Sequence, residues 1–336
     1  MKSVSNVPGI VLCAFLAAAC SANIVDEHMV VEGWIEDGGY PEVYLTSSVA
    51  AVEGEMTREG LASHVLTMAA VSVSDGSKTV FLTGVIDNNR FPPYYYTTTG
   101  IKGEPGKTYT LNVKYGKTEA SAVTTVPQKQ ELDGIALKEG EDGVTLSCRF
   151  NALPGRRYKF FTKRKGKDPL YSTSFLSMVN GDSAPGSVEV SVNRGYNSLS
   201  EEYKTAFEPG DTVSVRFSTM DAEAWDFWQK YEDAVLFSHN PMIIISTPVE
   251  GNVKGAYGSW SGYGSSYYEV VIPALSSGAQ PVREAAGVGR CTGAAYAVDC
   301  RRNDTSGIAG PFPAREEPGH GHILQGFRVA RNTHRR

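Results

Sequence analysis

Seven cationic side chains, Arg156, Arg157, Lys159, Lys163, Arg164, Lys165 and Lys167, fall within twelve residues of a chain whose net charge is −5. That density makes a local anion-attracting field, and phosphates of lipid headgroups or of lipopolysaccharide are the anions it would meet. Lysines along an exposed strand also have a plainer use, keeping sheet edges from pairing with one another. A second candidate group is aromatic: Tyr257, Trp260 and Tyr263 stand among the glycines and serines of the run 251–264. Rigid rings on such a segment make either a contact surface for a glycan or peptide or the bends of a strand that packs closely. Tyr94-Tyr95-Tyr96 poses the same choice, and strand alternation must send Tyr95 to the face opposite its neighbours. Catalytic groups are not assembled in the same way. His28, His64 and His239 stand at no metal-ligand spacing, and neither G-x-S-x-G nor H-E-x-x-H occurs, so no catalytic residue, metal or cofactor is assigned and a surface hydrolase is the remote alternative. Cys148, on an alternating stretch, reads as a small buried hydrophobe.

One more residue has neighbours suited to chemistry. Cys20 ends the stretch Leu16-Ala17-Ala18-Ala19-Cys20, after an apolar run that begins near Val7 and a single Lys2. A short basic start, an apolar run of about 7–15 residues and small residues at the cut are the parts of a secretory signal. The cysteine directly after them resembles the lipidation site of bacterial lipoproteins, in which the thiol carries a diacylglycerol and the freed amine is acylated. Cys13 does not fit, because Leu12 precedes it where a small side chain is needed. Residues 1–19 are thus expected to be a signal peptide and residues 20–27 a lipid-anchored linker.

The elements that position these groups are strands. Apolar residues make up 41% of the chain and charged ones 21%, with 35 Gly, 17 Pro and 17 Tyr, a turn-rich β composition. Residues 274–336 carry nine Arg, no Lys and five acids, which leaves −9 on residues 1–273 and argues against nucleic acid as a partner. Short alternating runs at His28–Ile35, Pro41–Ser48, Ala69–Ser74, Lys78–Thr83, Tyr94–Thr98, Lys107–Tyr115 and Lys117–Val126 predict a β-sandwich over 28–126. After a linker near Pro127, runs at Leu132–Leu137, Gly143–Phe150, Arg156–Arg164, Leu170–Met178, Ser187–Asn193 and Thr212–Ser218 predict a second sandwich over 130–273. Met220–Phe237 contains no Gly or Pro and sets Ala224, Trp225, Phe227, Trp228, Tyr231, Ala234 and Val235 on one stripe, which predicts a helix over 220–237 starting from the pair Ser218 and Asp221. Met242–Ile245, Val253–Tyr257 and Tyr267–Ile272 return to strand. The expected fold is mostly β: two sandwich domains, immunoglobulin- or transthyretin-like, with one aromatic-rich helix in the second.

The landmarks Val30-Val31-Glu32-Gly33-Trp34-Ile35, Pro41-Glu42-Val43-Tyr44-Leu45-Thr46, Ala70–Gly76 and Gly106–Leu111, followed by Ala224-Trp225-Asp226-Phe227-Trp228, Asn240-Pro241 and Glu250–Gly258, come in an order that resembles domain-of-unknown-function family 4249. The resemblance covers residues 20–272 and departs at Ala256, where glycine is expected. It implies a β-rich lipoprotein of Bacteroidota-type outer membranes, often encoded beside TonB-dependent transporters. A non-enzymatic accessory to such a transporter or to a surface assembly is the function it implies; a glycan- or peptide-binding surface lipoprotein is the alternative. The tail 274–336 follows neither period, and it is expected to be disordered or to come from a shifted reading frame. Its sparse apolar residues cannot offset an ordering cost of about 1–2 kcal/mol per residue. Truncation after Pro273 is therefore expected to leave the thermal midpoint unchanged within error, and a fall of several degrees in a melting scan would show that the tail docks.

Overall fold

The computed structural model describes residues 28–48, 58–140, 142–196, 204–238 and 249–274. The first half holds β1 (Met29–Glu36), β2 (Glu42–Ser47), the short helix α1 (Arg58–Ala62), β3 (Ala70–Ser74), β4 (Thr79–Phe81), β5 (Thr83–Ile86), β6 (Tyr94–Thr97), β7 (Thr108–Tyr115) and β8 (Thr118–Thr125). The second holds β9 (Gly134–Gly140), β10 (Gly143–Ala152), β11 (Arg157–Arg164), β12 (Ser172–Thr173), β13 (Val179–Asn180), β14 (Gly186–Val192), β15 (Thr212–Met220), α2 (Ala222–Ser238) and β16 (Tyr257–Val271). The mostly-β expectation holds, and most strands begin within two residues of where alternation places them.

The halves are joined more closely than two separate sandwiches would be. One nine-stranded sheet runs in the order β12-β11-β15-β16-β1-β2-β6-β5, with β13 also paired to β11. Two smaller sheets, β4-β3-β7-β8 and β14-β10-β9, lie over one of its faces, one in each half. Val31, Ile35, Val43, Leu45 and Trp260 meet Val71, Tyr109, Leu111 and Val113 in the first core; Tyr158, Phe160, Val215 and Phe217 meet Leu146, Cys148 and Phe150 in the second. Period-two alternation sends the other residues of the same strands, Trp34, Tyr44, Phe161, Met220 and Tyr263, to the opposite face, where α2 covers them with Ala224, Trp225 and Trp228. The three tyrosines obey the same rule: Tyr94 and Tyr96 belong with the first core and Tyr95 with the helix face.

The strand that joins the halves is β16. Its first part pairs in parallel with β1 (Val30 with Tyr257 through Glu36 with Tyr263), and its second pairs antiparallel with β15 (Met220 with Tyr263 through Thr212 with Val271). Two short strands with a Gly-rich loop between them are thus replaced by one strand of 15 residues. The glycines explain this. The connection after β8 crosses directly over β16, so a Cβ at residue 262 would lie 2.6 Å from the Thr125 carbonyl oxygen, and one at 264 would overlap that of Pro127. The linker near Pro127 is therefore pressed onto the sheet, and Thr219 Oγ1 donates to the Gln128 carbonyl at 2.6 Å.

Three other expectations change. Lys78–Thr83 divides at buried Leu82, where the chain leaves the four-stranded sheet as β4 and enters the nine-stranded one as β5. Leu170–Met178 keeps only two residues of strand, because Leu176 takes φ 58° and the Ser177 hydroxyl bonds the Ser174 carbonyl at 2.6 Å, turning the chain. The helix begins at Ala222, and its cap is Asp221 alone: Asp221 Oδ1 accepts from the Ala224 amide at 2.9 Å, whereas the Ser218 hydroxyl belongs to β15 and meets Ser265 at 2.9 Å. Cys148 is buried in β10 between Ile135 and Val190. The strand expected at Met242–Ile245 and the tail beyond Ala274 lie outside the described residues.

Candidate functional site

Ionisable residues converge on the face of the large sheet beneath α2. Glu36 on β1 and Arg216 on β15 both point there by alternation and form a buried ion pair, with Arg216 fully enclosed. Glu36 also accepts from the Tyr267 hydroxyl at 2.5 Å and the Ser265 hydroxyl at 3.2 Å, and Arg216 Nε donates to Ser265 at 3.2 Å. The guanidinium lies against two rings, 4.5 Å from the centroid of Tyr263 and 4.8 Å from that of Phe161. Burial alone would lower the Arg216 pKa, but the carboxylate of Glu36 together with the surrounding Tyr267, Tyr263 and Tyr171 outweighs this and leaves it raised. Burial pushes the Tyr263 hydroxyl up to about 12 and Tyr267 well above the ordinary tyrosine range. Both tyrosines therefore remain neutral hydrogen-bonding groups.

A second pair, Lys159 with Glu232, ties β11 to the helix. Glu232 also accepts from Thr173 Oγ1 at 3.4 Å and the Leu176 amide at 3.3 Å. Burial holds Lys159 below the usual lysine value, with Glu232 opposing that shift. At the far side of the face, Arg90 reaches Glu42 at 2.7 Å and Asp87 at 3.1 Å, and its guanidinium lies 4.5 Å above the Tyr95 ring. Tyr95 continues a stack through Tyr44 to Trp34, with centroids 5.5 and 5.6 Å apart. Asp221 couples the halves directly: its Oδ2 accepts from Thr124 Oγ1 at 2.5 Å and the Thr125 amide at 3.2 Å, both on β8. Burial raises the Asp221 carboxyl above the ordinary aspartate range. These groups hold strands and helix together; each cation faces a carboxylate inside the fold.

The residues singled out in the sequence separate accordingly. Lys159 is not part of an anion-binding surface, because β11 turns it into the core beneath α2. Arg164 is held by Asp168 at 2.7 Å, Lys165 by Glu269 at 3.3 Å, and Lys167 by Asp211 at 2.7 Å and Glu208 at 3.2 Å. Arg156, Arg157 and Lys163 are half-buried. The run therefore does not form one cationic patch, because alternation divides it between faces and nearby acids offset it. Trp260 and Tyr263 are likewise not ligand platforms: they are 0% and 2% exposed. Trp260 Nε1 donates to the Tyr109 carbonyl at 3.0 Å, and Tyr263 OH accepts from Trp228 Nε1 at 2.8 Å. Only Tyr257 of the three keeps an open side, at a cavity of about 290 Å³ lined also by His28, Met29, Thr118, Gly255 and Ala256. Cys20 lies outside the described residues. Among the described residues no group of three or more His, Cys, Asp or Glu is placed to hold a metal ion, and no helix is long and apolar enough to cross a membrane.

Glu36, Arg216 and Glu232 were not singled out in the sequence, and Asn252 stood there only as part of the landmark Glu250–Gly258. The one signal was a lone charge inside a β run, Arg216 within Val213–Met220. Asn252 acts as a strand residue would: its Oδ1 accepts from the Trp260 amide at 2.9 Å, and its Nδ2 donates to the Trp260 carbonyl at 2.7 Å.

Together these features define a mostly-β protein of several sheets in a sandwich-like arrangement, with one long helix laid on the outer face of the central sheet. The family model described as Domain of unknown function (DUF4249) matches residues 20–268, and the chain belongs to that family. The match ends within β16, and it includes every group of the ionic face. No curated protein matches the chain.

Proposed function

We propose that the chain is a non-enzymatic, lipid-anchored scaffold of the cell envelope, held to the outer membrane through Cys20 and accessory to a TonB-dependent transporter or surface assembly. The observation that carries this reading is the position of the candidate anchor relative to β1. Cys20 ends an apolar run with small residues before it, and β1 begins at Met29. Nine residues reach at most about 30 Å when extended, so a lipid on Cys20 would keep the body close to the bilayer. The tether would also enter the centre of the fold, because β1 is bonded to β2 on one side and to β16 on the other. Any pull on the anchor then reaches both halves at once, an arrangement suited to presenting a rigid body to a membrane-bound partner.

Cys20→Ala is expected to abolish metabolic labelling with lipid and to move the protein out of the membrane fraction or leave its signal uncleaved. Acyl chains contribute roughly 0.8 kcal/mol per buried CH₂, and the variant would carry none. Unchanged membrane retention would defeat the anchoring claim. Crosslinking in intact cells followed by identification of the bound proteins tests the accessory role, which fails if the captured set contains no transporter or surface-assembly component.

A further inference from the structure

We propose that the cavity at the start of β1 and β16 binds a single neutral sugar ring, with Tyr257 as its stacking platform. This goes beyond the anchoring role and does not depend on it. The cavity holds about 290 Å³, at the lower end of small-molecule sites, which suits one pyranose ring rather than a drug-sized ligand or an extended peptide. Among the described residues its lining is His28, Met29, Thr118, Gly255, Ala256 and Tyr257, none of them an Asp, Glu, Lys or Arg, which favours a neutral ligand over an ionic one. It is too polar for an acyl chain.

What it offers is an aromatic corner beside hydrogen-bonding groups. The Tyr257 and His28 rings meet edge to face with centroids 5.0 Å apart, presenting apolar carbon surface of the kind that covers the C–H face of a sugar. The Thr118 hydroxyl, the imidazole nitrogens and the backbone of Gly255 and Ala256 supply donors and acceptors for ring hydroxyls.

The walls are held before any ligand arrives. The His28 amide donates to Ser48 Oγ at 2.9 Å, and the Ser48 amide returns to the His28 carbonyl at 2.7 Å. On the other side, Lys254 and Ser121 exchange backbone hydrogen bonds of 2.8 and 3.0 Å, fixing the segment before Gly255 against β8. Gly255 itself has φ +83°, and any Cβ there would overlap the Glu119 carbonyl, so its backbone lies close against β8. A preformed site loses little ordering entropy on binding.

The test is saturation-transfer NMR on the purified full-length chain in a sugar-free buffer. The probes are methyl β-D-glucopyranoside, methyl α-D-mannopyranoside and N-acetylglucosamine, with glucuronate and triglycine as charged and peptide comparators. Each is supplied at about 20 mM, above the roughly millimolar Kd expected for one ring. At least one neutral sugar is expected to show transfer, strongest at its C–H face. Tyr257→Ala is expected to weaken it at least tenfold and Tyr257→Phe to keep it, both with unchanged far-ultraviolet circular dichroism. Thr118→Val, on an exposed strand end, is expected to weaken binding severalfold and provides a second reading should Tyr257→Ala fail to fold. No transfer from any of the three sugars overturns the proposal, as does unaltered transfer in folded Tyr257→Ala or stronger binding of glucuronate or triglycine.

Discussion

Glu36→Ala is expected to destabilise the protein by about 3–5 kcal/mol, because it leaves the guanidinium of Arg216 enclosed without its carboxylate. Arg216 is 0% exposed, and Glu36 accepts from it, from Ser265 and from Tyr267. An exposed ion pair would contribute only about 0–1 kcal/mol; burial is what makes the loss large. In thermal unfolding this corresponds to a fall of roughly 10 °C for a folded region of this size. The double variant Glu36→Leu with Arg216→Met removes both charges and is expected to recover most of the loss, since replacing a whole buried pair by apolar side chains is often near neutral. A single-variant loss below about 1 kcal/mol would mean that Arg216 is solvated after all. Equal losses in the single and double variants would place the stability in side-chain packing instead of charge compensation.

Trp260→Ala is expected to cost about 3–5 kcal/mol by creating a cavity between the large sheet and β7. The ring lies in the first core and its Nε1 bonds the Tyr109 carbonyl at 3.0 Å, so truncation also leaves that acceptor without its partner. Denaturant unfolding measures the effect directly. The result discriminates between two uses of an aromatic on a Gly-rich segment, because a surface platform could be truncated with little effect on stability. Trp260→Phe is expected to lose less, since it keeps most of the volume and gives up the hydrogen bond. A loss under 1 kcal/mol for Trp260→Ala would contradict its burial in the first core.

Local periodicity determined much of this protein. Alternation in Lys107–Tyr115 and Lys117–Val126 marked two neighbouring strands, and the structure pairs them as a hairpin, Thr108 with Thr125 through Tyr115 with Thr118. The Gly- and Pro-free stripe through Trp225 and Trp228 specified α2. Both signals depend on neighbours within a few residues, and side-chain direction follows directly from strand or helix geometry. Landmarks such as Trp34-Ile35 and Asn252-Val253 were legible as family features before their contacts were known.

Only the tertiary structure decided which strands meet. Whether Tyr257, Trp260 and Tyr263 were exposed depended on β16 lying between β1 and β15, and on the β8 connection crossing its glycines. Likewise, the run from Arg156 to Lys167 became a set of separate contacts because Glu232, Glu269, Glu208 and Asp211 are brought to it from 41 to 104 positions away, while Asp168 is local. Glu36 and Arg216 are 180 residues apart. A strand's own period records which side chains share a face, but it carries no record of the distant strand that will lie beside it. That choice is made when the complementary faces of the whole chain are buried together.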